Sequence, residues 1–136
     1  MKVVLAHGVF DILHFGHLQY LEFAKRQGGY LIVSVTSDKH VNKGPDRPVF
    51  PLEKRMAMVK ALRVVNQVVA SHDALPNVII RRIRPDVYVK GAEYRGKLPE
   101  QELVESLGGV VVFSDGVVHS STALVGKLDR PMATLQ

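Results

Sequence analysis

The chain has 136 residues, 46% of them apolar and 23% charged, which is enough to bury one core and too few for two ordinary domains. Cysteine is absent, which excludes disulfide frameworks, thiolate metal sites and cysteine nucleophiles and fits a reducing cytoplasm. The net charge of +5 is concentrated between residues 38 and 63, where Lys39, Lys43, Arg47, Lys54, Arg55, Lys60 and Arg63 outnumber Asp38, Asp46 and Glu53; such a patch either meets an anionic ligand or is a solvated helix face.

Residues 1 to 6 lack the apolar region and small-residue cleavage site of a signal peptide. No run approaches the roughly 20 apolar residues that span a bilayer, so a soluble chain without a membrane partner is expected. Lys2 to Ala6 is a short β-branched apolar run and reads as a buried strand. Leu18, Leu21 and Ala24 then repeat at helical spacing, and Tyr30 to Val35 gives a second strand. Leu52, Met56, Val59 and Leu62 mark a second helix, followed by a strand at Gln67 to Ala70. Leu75, Val78, Ile79 and Ile83 mark a third helix and Asp86 to Val89 a fourth strand. Pro99, Leu103, Leu107 and Gly108 outline a fourth helix with both boundary signals, ahead of a strand at Val110 to Phe113. A fifth helix is expected from the N-cap types Ser120 and Ser121 to Leu128, leaving residues 129 to 136 as a tail beyond a domain of residues 1 to 128.

The strands are near-continuous apolar runs without in-out alternation, as expected of a parallel sheet covered on both faces. Their alternation with helices predicts an α/β doubly wound sheet of five parallel strands. Ligands of such sheets bind outside the carboxyl ends of the strands, where strand order reverses. Four polar segments containing or flanked by glycine should collect there: His7 to His17, Ser37 to Arg47, Lys90 to Lys97 and Ser114 to Ser121.

The first segment, Gly8-Val9-Phe10-Asp11-Ile12-Leu13-His14-Phe15-Gly16-His17, places two histidines three apart at a helix entrance, and therefore on one helix face. Gly16 permits close backbone approach, and the free amides of a helix N-terminus suit phosphate. Paired imidazoles there can donate to phosphoryl oxygens; a zinc pair or two surface histidines are the alternatives. Both Arg55 and Arg63 fall on the apolar side of the second helix, where an arginine snorkels outward or reaches a buried anion.

This signature, GxFDxxHxGH before a helix, resembles that of the cytidylyltransferase-like nucleotidyltransferases. Residues 47 to 56 (RPVFPLEKRM), 89 to 94 (VKGAEY) and 119 to 122 (HSST) are similar to successive segments of that family, so the resemblance covers nearly the whole chain. Within the family the segments look most like those of heptose-1-phosphate adenylyltransferases, and next like those of glycerol-3-phosphate cytidylyltransferases. Glu93 stands where the former have Asp, and His119 replaces a small residue.

The resemblance implies a Rossmann-like nucleotidyltransferase that joins NMP from an NTP, ATP favoured over CTP, to a small phosphorylated acceptor such as heptose 1-phosphate, releasing pyrophosphate. It further implies Mg²⁺ carried on the phosphates and not by the protein directly, a cytoplasmic location and a homodimer. His14, His17, Lys43 and Arg55 are then expected at the reacting phosphates, and Arg55 as a phosphate contact. Gly8, Val9, Phe10, Asp11, Gly16, Lys90, Gly91, Glu93, Ser120, Ser121 and Thr122 are expected around the nucleotide, and Asp11, Lys39, Arg47 and Tyr94 near the acceptor. Asp11 has a second reading as the cap of its turn, and Lys39 and Lys43 compete for the triphosphate. A non-catalytic nucleotide sensor is the rival from another class. Nucleic acid is not an expected partner, since no aromatic-interleaved basic stripe or RNP-like segment occurs.

Overall fold

A computed structural model describes residues 1–115, so the expected fifth helix, the tail and the segment carrying Ser120, Ser121 and Thr122 lie outside the described residues. Five strands, β1 (Lys2–Gly8), β2 (Gly29–Thr36), β3 (Gln67–Ser71), β4 (Val87–Gly91) and β5 (Val110–Ser114), form one sheet in the order β3-β2-β1-β4-β5. Every pairing is parallel, and β1 is central, with Gly8 opposite Val35 on one side and Ala6 opposite Val89 on the other. The chain runs outward from β1 through β2 to β3 and then returns to β4 on the far side of β1. The strand order therefore reverses between β1 and β4, which puts the crevice at their carboxyl ends.

Neighbouring strand residues point to opposite faces, so each apolar run feeds two cores. Val4, Ala6, Val33, Val35, Val87 and Val89 pack on α1 (Phe15–Arg26) and α2 (Leu52–Lys60) through Leu21, Ala24 and Val59. Leu5, Ile32 and Tyr88 pack on α3 (Asn77–Ile83) and α4 (Gln101–Ser106) through Ile79, Ile80 and Val104.

Element boundaries differ from those read in the sequence where polar residues continue a strand or end a helix. β4 extends through Lys90 and Gly91, which were expected to begin a loop. The second helix stops at Lys60, so Arg63 lies beyond it and is exposed instead of lying on an apolar helix face. Leu75 precedes α3 and is exposed, and α4 begins two residues after Pro99. Short 3-10 turns at Asp38–His40 and Ala92–Tyr94 carry no apolar period and were not anticipated. None of the helices among the described residues is long and apolar enough to cross a membrane.

The return from α1 to β2 depends on Gly28. A Cβ there would lie 2.6 Å from Val4 Cγ2 and 2.7 Å from the Lys2 carbonyl oxygen. Gly28→Ala should therefore lower stability by about 1–3 kcal/mol through overpacking, read as a lower urea midpoint with unchanged slope.

Candidate active site

The site begins with a strained turn. Phe10 adopts φ 50°, an uncommon conformation for a bulky residue, yet is only 4% exposed. Its ring lies over Gly8, where an added Cβ would come within 2.9 Å of Phe10 Cε2, and packs at 5.5 Å from the His17 ring. The turn drives the next side chain, Asp11, inward. Its carboxylate is 4% exposed and accepts from Val49 N at 2.8 Å, Phe50 N at 2.9 Å and Arg47 Nε at 2.6 Å. Burial alone would raise the Asp11 pKa, but the Phe50 and Val49 amides and Arg47 outweigh it and hold the carboxyl below its ordinary value.

His14 is the N-cap of α1, in extended conformation, and its Nδ1 accepts from Gly16 N at 3.1 Å. Reciprocally, His17 Nδ1 accepts from His14 N at 3.3 Å, so two imidazoles form the capping box that Ser and Glu commonly supply. The rings stack at 3.9 Å between centroids. An Nδ1 that accepts carries no proton, so each neutral ring bears its N–H on Nε2. Burial, then His14 and Lys43, push the His17 pKa down to about 4, keeping this ring neutral at physiological pH. Two imidazoles three apart thus share one helix face, as their spacing required.

A cavity of about 680 Å³ opens at the carboxyl ends of β1 and β4. It collects Gly8, Val9, Phe10, Gly16, His17, Lys43, Lys90, Gly91, Glu93 and Tyr94 from the residues expected to bind nucleotide, phosphate or acceptor. Of the two competing lysines, Lys43 lines the cavity, whereas Lys39 is exposed on the Asp38–His40 turn and does not. At the far wall Lys90 is 9% exposed, with its Nζ 3.2 Å from the His7 carbonyl oxygen and 4.5 Å from the Tyr94 ring centroid.

Three expected site residues take other places. Arg55 is 1% exposed and donates Nε to Phe50 O, Nη1 to Val9 O and Thr36 O, and Nη2 to Asp38 Oδ1, at 2.5 to 2.9 Å. Instead of contacting phosphate, it ties the ends of β1 and β2 to the start of α2. Arg47, expected near the acceptor, is ion-paired to Asp11 with 11% of its side chain exposed. Asp11, expected near the acceptor or as the cap of its own turn, instead accepts from Arg47, Val49 and Phe50 and holds residues 47 to 50 against the histidine segment.

The cavity also uses residues that sequence reasoning did not single out. Tyr20 and Phe23 follow His17 at successive intervals of three on α1, so the spacing that paired the histidines would have found them. Tyr20 donates to Val89 O at 2.5 Å, fastening the helix to β4. His7 lines the cavity floor, with Nδ1 2.7 Å from Ser34 Oγ; burial and then Lys90 lower its pKa to about 3. It heads the polar segment His7 to His17, where no role was assigned to it; the structure makes it the penultimate residue of β1.

A family model described as Cytidylyltransferase-like matches residues 5–122. The chain is 42% identical over 131 residues to a D-beta-D-heptose 1-phosphate adenylyltransferase of Bordetella bronchiseptica, covering 93% of this chain and 81% of that protein. It is 41% identical over 127 residues to the Bifunctional protein HldE of Alcanivorax borkumensis, covering 91% of this chain but only 27% of that longer protein. Among solved structures, a lipopolysaccharide core biosynthesis protein from Thermoplasma volcanium superposes with TM-score 0.72 at 32% identity, over 86% of this chain and 99% of that one. A pantothenate synthetase from Thermus thermophilus, at 18% identity and TM-score 0.61 over 88% of this chain and 57% of that one, shares the fold.

Both half-buried imidazoles, His7 and His17, bear on stability. The unfolded chain takes up protons near the ordinary histidine value of 6.5, whereas the folded chain holds His17 neutral to about 4 and His7 to about 3. Stability should be full above about pH 6.5 and fall as pH drops toward 4, read as a falling urea midpoint across a pH series. A midpoint flat over that range would contradict the half-buried, neutral rings.

Proposed function

Since the chain belongs to the cytidylyltransferase-like family, we propose that it is a nucleotidyltransferase that transfers AMP from ATP to a sugar 1-phosphate of the heptose type. The observation that carries this reading is the imidazole pair at the mouth of α1, with the hydrogen on each Nε2 and the His17 ring on the cavity wall. The name of the Bordetella relative supports the choice of nucleotide and acceptor.

The chemistry needs no covalent enzyme intermediate. An ionised oxygen of the acceptor phosphate attacks the α-phosphorus, a new P–O bond forms, and the bond to the β-phosphate oxygen breaks to release pyrophosphate. Charge on the reacting oxygens is met by the His17 Nε2–H on the cavity wall, which the capping box already orients and which needs no reorganisation as charge shifts; His14, expected beside it at the phosphates, does not line the cavity, and its Nε2 is buried, so it acts by holding the His17 ring. Lys43 adds a cation beside His17 for the departing phosphates, and the partial positive charge at the start of α1 adds to it. Lys90, Gly91 and Glu93 form the nucleotide wall, and Tyr94 borders the acceptor. Asp11, Arg47 and Arg55 act through the loop they hold. Mg²⁺ is expected to enter on the triphosphate; among the described residues there is no group of three or more His, Asp or Glu side chains to cage it. The reading carries with it a cytoplasmic enzyme that works as a homodimer.

The test is pyrophosphate release across four NTPs crossed with sugar and polyol phosphates. Turnover with ATP and a sugar 1-phosphate is the expected result. Activity confined to CTP and glycerol 3-phosphate would move the substrates, and silence across the panel would overturn the enzyme reading. His17→Ala should lower kcat by about 10²–10³ while the circular dichroism spectrum is unchanged, as for loss of a preorganised donor.

A further inference from the structure

One buried carboxylate lies outside every role assigned so far. Glu100, just before α4, is only 4% exposed, and its Oε2 accepts from Tyr88 Oη at 2.6 Å. Tyr88 is itself fully buried. A carboxylate costs several kcal/mol to bury without compensation, and one neutral hydroxyl is a weak return for it.

A buried cation, Lys90, lies two residues further along β4. Residues two apart on a strand share a face, so Lys90 projects on the same side of the sheet as Tyr88. The Lys90 ammonium is nearly as buried, and its nearest polar neighbour is a neutral carbonyl, His7 O at 3.2 Å. Burial pushes the Lys90 pKa below the ordinary lysine value, and Glu100, then Glu93, push it back up. Neutral groups beside it are His7 on β1, Tyr94 on the Ala92–Tyr94 turn, and Tyr20 of α1 against the neighbouring Val89 carbonyl, while the charged side chains of Glu22, Arg26, Lys43 and Asp115 line the same cavity. Glu93 is exposed, whereas Glu100 sits in low dielectric, where its charge acts with less screening.

We propose that Glu100 is a positioning residue: its buried carboxylate, held by Tyr88, is the fixed countercharge that keeps the Lys90 ammonium charged and turned into the nucleotide wall of the cavity. The inference rests on the nucleotide-binding reading given above. Glu100 touches no substrate and acts through Lys90.

The test is the affinity for a non-hydrolysable ATP analogue, measured by calorimetry between about pH 7.5 and pH 9.5, where His17 and His7 stay neutral. Wild type should bind with little change over this range. Glu100→Gln keeps the shape and an acceptor for Tyr88 but removes the charge, so Lys90 loses its proton at lower pH and affinity should fall about tenfold toward the alkaline end. Glu100→Asp should restore most of the wild-type profile. In a Lys90→Met background Glu100→Gln should have no further effect. Equal pH profiles for wild type and Glu100→Gln, or an undiminished Glu100→Gln effect without Lys90, would overturn the inference. If Glu100→Gln does not fold, Glu100→Ala, which also removes the charge, carries the same comparison, with Tyr88→Phe, which keeps the charge, as the control expected to retain the wild-type profile. Wild type that binds no nucleotide would overturn the functional reading instead; NMR titration of the Lys90 side chain in both proteins would then decide the pairing, an unshifted Lys90 refuting it.

Discussion

Two imidazole nitrogens that accept backbone N–H groups at the start of one helix set the terms for everything around them. The bonds to Gly16 N and from His14 N to His17 fix which ring nitrogen carries hydrogen, and so what each ring can offer a ligand. A side chain that merely reached the cavity would rotate and exchange tautomers. Here Nδ1 caps the helix, which leaves the hydrogen on Nε2 of the same ring, so the start of α1 sets the orientation of both imidazoles. Burial, then His14 and the nearby Lys43, keep His17 neutral, so the pair does not present two competing positive charges.

The sheet explains why this mouth opens where it does. Reversal of strand order beside β1 leaves the carboxyl ends of β1 and β4 without a covering crossover, and α1 starts at that gap. The two ends contribute different chemistry. β1 delivers glycine, a strained Phe10 and the histidine turn, whereas β4 continues into the cavity as a buried cation beside an aromatic ring. Opposite faces of the sheet are apolar for the same reason that the strands lack alternation, so polar side chains are confined to the strand ends.

Much of this was legible in the chain. The apolar runs are too short for helices and too continuous for a half-exposed sheet, which fixed five parallel strands; the pair His14 and His17 declared its shared face through spacing alone. Side-chain destinations were less legible. Arg55 and Asp11 carry charges that look available to a ligand, and nothing in their neighbours along the sequence reveals that Phe50, Val9 and Thr36 supply carbonyls, or that residues 47, 49 and 50 supply donors. Partners distant in sequence decide those cases. Glu100 was hidden for the same reason: beside Pro99 it reads as a helix-start acid, and only the fold brings Tyr88 to it.

The network around Asp11 and Arg55 divides the segment after β2 into two parts with different freedom. Residues 47 to 50 are bonded to the histidine turn and to α2, whereas residues 42 to 46 are exposed and contain Gly44 at φ +109° with open space around it. Apart from Lys43, which lines the cavity, length and composition can therefore drift between positions 42 and 46 without disturbing the rigid frame. Such a segment is a natural place for related chains to diverge in what they accept, and for a designer to graft a new acceptor loop while leaving the anchored stretch that follows it intact.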